Sequence, residues 1–165
     1  MTNRLKMTQA IAGMPPDVTP ADVNTAAADP RFTLGSVYWK GGKAYRYVQF
    51  VDAVAYIAGH VLTWANATGT AVTNDRSGGS AVFATRAVGV ALGVMTENYY
   101  GFMQVSGINA DVQTDTGVAA GEALVAHTVD GQCDTMAAGE EHLVFADSMA
   151  ADATNTVTAN LRGLL

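Results

Sequence analysis

The residues best equipped for chemistry in this 165-residue chain are three histidines (His60, His127 and His142), one cysteine (Cys133) and fifteen carboxylates. Their spacing gathers none of them into a reactive set. None of the histidines has a second histidine at an HxxH or HExxH interval, the pattern that turns two ligands toward one metal. Glu140-Glu141-His142 sets acid beside base, but on a strand neighbouring side chains point to opposite faces and do not converge. Asp111-Val-Gln-Thr-Asp115 has two carboxylates four apart, without the glycine and the bidentate glutamate of a calcium loop. A G-x-S-x-G elbow for a hydrolase serine is missing, and so is a Gly-Lys-Ser/Thr run to cradle phosphate at a helix start. Gly89-Val-Ala-Leu-Gly93 reads as close packing in an apolar strand, and Asp75-Arg-Ser-Gly-Gly79 as a hairpin tip. Cys133 lacks a CxxC partner and reads as a small buried hydrophobe. The expectation is a protein with no catalytic residues, no metal and no cofactor.

The elements that carry these residues belong to two regions. Residues 1–33 hold all four prolines and no alternating pattern. A short helix is expected there, with Thr19 as N-cap, Pro20 at the first helical position, Asp22 three residues after the cap, and Val23 to Ala28 following. Asp29-Pro30 would end it. This region reads as an extended N-terminal arm that orders against a neighbour. From residue 34 onward the period becomes two. Val37–Lys40, Gly41-Gly42 and Lys43–Val48 read as a β-hairpin with one aromatic face, because two glycines supply the positive φ angles of a tight hairpin turn.

Further strands are expected at Val61–Ala65, Ala71–Asn74, Val82–Thr85, Ala87–Met95, Gly101–Ser106, Ala123–His127, Gln132–Thr135, His142–Asp147 and Thr156–Leu161. Turn signals separate them, at Asn66–Gly69, Asp75–Gly79, Asp130-Gly131 and Ala138-Gly139. Many short strands with glycine-rich turns predict an all-β fold, a small barrel or sandwich of antiparallel strands. An internal echo suggests two related β modules. Ala58-Gly59, Leu62, Gly69 and Thr73 match Ala120-Gly121, Leu124, Gly131 and Thr135 at one offset, and Val88–Gly107 can be set beside Val144–Gly163.

Charge narrows the possible partners. The formal net charge is −6, only three lysines are present (Lys6, Lys40, Lys43), and charged residues make up 15% of the chain, against about 25% in ordinary domains. No cation cluster stands ready to neutralise phosphates, so nucleic acid is not an expected partner, and anionic membrane is not one either. The apolar run near the N-terminus, broken by Pro15-Pro16, is too short for a signal peptide or a membrane span. Composition alone leaves open two readings of a surface short of charge, one made polar by Thr, Ser, Asn and Gly and one that meets protein. In that role Tyr99-Tyr100-Gly101-Phe102 is a dense aromatic patch, from which one tyrosine should face the core and the other outward as an anchor.

Three runs carry a likeness to a known group: Ala87-Val-Gly-Val-Ala-Leu-Gly93, Tyr100-Gly-Phe-Met-Gln-Val-Ser-Gly107, and Ala120-Gly121 with Leu124, joined by Asn160-Leu-Arg-Gly163 as a closing strand. Over roughly residues 54–165 the chain resembles the small capsid decoration (cement) proteins of tailed bacteriophages. The resemblance implies a structural protein made in the host cytoplasm and bound to the capsid exterior at junctions of the major capsid protein, often as a trimer. The candidate interface residues are Met14, Pro15, Pro16 and Val18 in the arm, and Tyr99, Tyr100 and Phe102 in the body. The alternative is a carbohydrate- or receptor-binding β module of a tail fibre or adhesin, stacking sugars on Tyr38, Trp39, Tyr45, Tyr47 and Trp64.

Overall fold

A computed structural model describes residues 27–51, 56–76, 86–115 and 117–163. The protein is all-β, and its strands form a closed five-stranded barrel plus further strands. In chain order these are β1 Val37–Lys40, β2 Lys43–Phe50, β3 Val61–Trp64, β4 Ala71–Thr73, β5 Ala87–Ala91, β6 Tyr100–Gln113, β7 Ala123–Ala126, β8 Cys133–Thr135, β9 Ala146–Ser148 and β10 Thr156–Arg162. The hairpin forms as expected, with Tyr38 opposite Tyr45 and Lys40 opposite Lys43 across Gly41 and Gly42, both at positive φ.

The barrel closes in the order β2, β4, β3, β5, β6 and back to β2, with β2 and β4 parallel and every other pair antiparallel. Closure removes the free edges that would otherwise invite pairing with other chains. A barrel this narrow is filled by side chains. Its interior holds Ala44, Val48, Phe50, Leu62, Val72 and Met103, all fully or nearly fully buried. At roughly 25 cal/mol per Å² of apolar surface removed from water, this burial is the main force holding the barrel shut.

β6 is fourteen residues long. Its first half is a barrel wall. Its second half pairs with β10, and β10, β9, β7 and β8 follow in antiparallel order. β8 then returns to the end of β6 through a parallel Thr114–Cys133 bridge. This second circuit repeats the first at the level of single hydrogen bonds. Gly59 N–H donates to the Ala91 carbonyl at 2.9 Å, and Gly121 N–H to Ser148 at 3.0 Å. Phe50 N–H donates to Tyr99, and Thr114 N–H to Asn155. Met95 N–H donates to Tyr56, and Asp152 N–H to Val118. Thus β2–β6 of the barrel correspond to β6–β10, and the sequence echo is a structural repeat in which β6 serves both circuits. A second core of Val112, Leu124, Phe145, Ala146, Val157 and Leu161 fills the second circuit and continues onto Val61, Ala87 and Val90 of the first. β5 is buried along its whole length for that reason.

Some expectations need correction. Of the helix proposed up to Ala28, only the last two residues are described, and Ala27 is β-bridged to Tyr100. The strand expected at His142–Asp147 is instead a 3-10 turn, Glu141–Leu143, followed by the short β9. The cause is local: Glu140 accepts from the Ala137 N–H and Glu141 from the Gly139 N–H, and such side-chain acceptors compete with the sheet ladder. Glu141 and His142 are exposed there. The strand expected at Gly101–Ser106 runs instead from Tyr100 to Gln113 and takes in Asp111. The strand expected at Val82–Thr85 lies outside the described residues.

Candidate interaction surface

The aromatic face of the hairpin follows from alternation. On β2, Ala44 and Val48 point into the barrel, so Tyr45 and Tyr47 point outward. Phe102 lies opposite Tyr47 on β6 and joins the same outer face. A strap formed by residues 27–36 crosses this face. Ala27 and Tyr100 exchange two main-chain hydrogen bonds of 2.8 Å, and Gly35 N–H donates to Tyr47. Between these anchors Phe32 stands edge-on to Tyr47 at 5.1 Å and tilted against Phe102 at 5.4 Å. The Arg31 N–H donates to the Tyr47 hydroxyl. The end of the presumed arm is therefore packed onto the barrel.

This strap decides which aromatics can meet a partner. Phe102 is 0% exposed, so the reading of Phe102 as an interface residue is corrected: it supports the patch from inside. Tyr99 and Tyr100 are both half-buried, rather than one inward and one outward. Asn98 in the left-handed region (φ 62°) turns the chain just ahead of them, and the Ala27 bridge fixes the main chain of Tyr100. Met14, Pro15, Pro16 and Val18 lie outside the described residues. Of the five aromatics that could stack sugars, Tyr38 and Tyr47 are buried, Tyr45 and Trp64 are half-buried, and Trp39 is exposed. Arg46 lies over the Trp64 ring at 4.9 Å.

The large apolar side chains that do reach solvent are elsewhere. Ile57 and Val94, 45% and 69% exposed, flank the Tyr56–Met95 bridge at one end of the barrel. In the second circuit the corresponding bond joins Asp152 to Val118, and Ala119, Ala151 and Met149 beside it are likewise exposed. The second circuit thus places the small Ala119 and Ala151 where the first places Ile57 and Val94, with Met149 beside them.

The titratable groups serve as a seam between the circuits. His60 Nδ1 takes a hydrogen bond from Asn74 Nδ2 at 2.9 Å, and Gly131 lies so close to the imidazole that a Cβ there would meet the ring at 2.7 Å. Asp130 accepts from the Arg76 N–H, and Arg76 Nε donates to the His127 carbonyl at 3.1 Å. Burial holds His60 below the ordinary histidine value, against the opposing pull of Asp130. Cys133 is buried, and its thiol is pushed up to about 12 by burial first and the Asp134 charge second. Among the described residues, no three His, Cys, Asp or Glu side chains group where they could hold a metal ion. Sequence reasoning missed the strap and the seam; the signal for the seam was Gly131, whose turn has to admit a ring from a strand connection 71 positions earlier.

No protein-family model matches this chain, and no curated protein matches it significantly.

Proposed function

We propose that this chain is a non-enzymatic structural protein that decorates the outer surface of a bacteriophage capsid and stabilises it. The observation that carries the reading is the exposed apolar pair Ile57 and Val94 at one end of the barrel, with a smaller apolar set, Ala119, Ala151 and Met149, at the equivalent place in the second circuit. Exposed apolar clusters of this kind mark surfaces covered by protein. Related apolar sets on two linked circuits suit a partner that itself repeats, as a shell of identical major capsid subunits does. The runs that resemble decoration proteins supply β5, the barrel half of β6 and the β7 entry.

The mechanism is thermodynamic. A protein that binds the assembled shell and not the free subunit stabilises the shell by mass action. The test is co-sedimentation of the purified protein with assembled major-capsid shells and with unassembled subunits. The wild type should bind shells alone, an Ile57→Asp/Val94→Asp variant should lose binding, and deletion of residues 1–30 should weaken it. Shell binding unaffected by both changes would refute the reading.

A further inference from the structure

The hairpin turn is chemically unlike the rest of the chain. Residues 27–51 carry four basic side chains (Arg31, Lys40, Lys43, Arg46) and one acid, Asp29, whereas residues 111–155 carry nine carboxylates and no Lys or Arg. Two of the three lysines flank the Gly41-Gly42 turn, and neither makes an ion pair among the described residues. Beside them Trp39 is 50% exposed. β1 pairs only with β2, so this tip is also an edge of the sheet. An exposed indole matches the composition of interface anchors, and Lys40 and Lys43, paired across the turn on the other face of the hairpin, give the tip its positive charge.

A surface of the opposite character lies on the second circuit. Asp115 and Asp134 stand 4.0 and 3.9 Å from His127 Nε2, with side chains 45% and 38% exposed. His127 Nδ1 accepts from the Val129 N–H at 3.1 Å, and Val129 is itself 45% exposed. Here an apolar side chain projects beside two accessible carboxylates, opposite in charge to the tip that carries Trp39, Lys40 and Lys43.

We propose that the Trp39–Lys43 tip docks on the Asp115–Asp134–Val129 corner of a second copy of this chain. This goes with the self-association that the resemblance to decoration proteins implies and rests on the proposed function in that respect only. The contact joins different patches on the two molecules. It is therefore heterologous, and it generates a closed ring when the rotation permits and an open chain otherwise. Complementary charge sets the orientation, and the indole supplies the buried apolar area.

Charge reversal on the full chain tests it, read as mass by sedimentation equilibrium, with circular dichroism confirming that each variant folds. The wild type should associate, and more weakly as salt rises. Lys40→Glu/Lys43→Glu and Asp115→Lys/Asp134→Lys should each weaken association by about tenfold or more. Mixed in equal amounts, the two charge-reversed variants should recover association, because the glutamate tip meets the lysine corner and the unaltered tip meets the unaltered corner. Where a reversal unfolds the chain, Lys40→Gln/Lys43→Gln and Asp115→Asn/Asp134→Asn replace it; each alone should weaken association, and their mixture should stop at a 1:1 dimer, because only the unaltered tip and corner keep complementary charge. A monomeric wild type, a variant that associates like the wild type, or a mixture that gains no association over its separate components overturns the inference. So does a tip variant that loses shell binding while keeping its mass, which would assign the tip to the shell. A monomer that binds shells overturns this contact alone, and an oligomer that ignores shells overturns the proposed function alone.

Discussion

Gly59 and Gly121 occupy the same place in the two circuits and share the same backbone angle, φ +87°, yet their surroundings differ. A Cβ at Gly59 would overlap the Asp111 carbonyl oxygen and stand 2.9 Å from its carbonyl carbon, whereas at Gly121 nothing lies within 4 Å. Gly121→Ala should therefore cost only the left-handed strain, about 1–2 kcal/mol. Gly59→Ala carries the same strain plus an overlap of backbone on backbone. The neighbour cannot yield by changing a rotamer, so about 2–3 kcal/mol is added, and the total of about 4 reaches the range where single changes threaten a small domain. Urea titration of both variants gives the comparison directly, since the shared strain cancels. Midpoints that differ by less than the equivalent of about 1 kcal/mol would show that the second circuit does not press against the Gly59 turn, and the account of how the circuits fit together would fail.

Two further outcomes follow from buried titratable groups. With His60 held below the ordinary histidine value, both folded and unfolded chains are neutral there above pH about 6.5. Below that the unfolded chain takes a proton that the folded seam refuses, so stability falls with acidification until the folded ring also protonates. The urea midpoint should drop between pH 8 and 5.5, and His60→Gln should flatten that slope relative to the wild type; an unchanged slope refutes the role of the seam. Cys133, protonated and enclosed, should react with iodoacetamide only as the chain opens, and labelling as fast as that of a peptide thiol would contradict its placement.

Much of the fold was legible because alternation is a local signal. The hairpin could be read from Gly41-Gly42 and the tyrosines around it, and β3, β4, β7, β8 and β10 appear within a residue or so of where apolar alternation puts them. The repeat was legible because left-handed turns restrict residue type: Gly59 and Gly121, Gly69 and Gly131, and Gly107 and Gly163 all have positive φ. What stayed hidden depends on distant contacts. Nothing near Phe32 in sequence says that it covers Tyr47 and Phe102, so the strap reads as a loose arm and Phe102 as a surface residue. The length of β6 was also hidden, because Gly107 looks like a stop. In fact its missing side chain makes room for the Gly42 carbonyl, 2.5 Å from where a Cβ would be, and the strand continues to Gln113.

Because β6 is a wall of both circuits, neither half of the molecule can be peeled away without stripping the other of a strand and exposing its core. A pull along this strand is shared by two ladders of main-chain bonds, those to β2 and those to β10. Bonds loaded side by side in this way yield together, and the two halves form one cooperative unit. The shared strand acts as the tendon that ties the two circuits together.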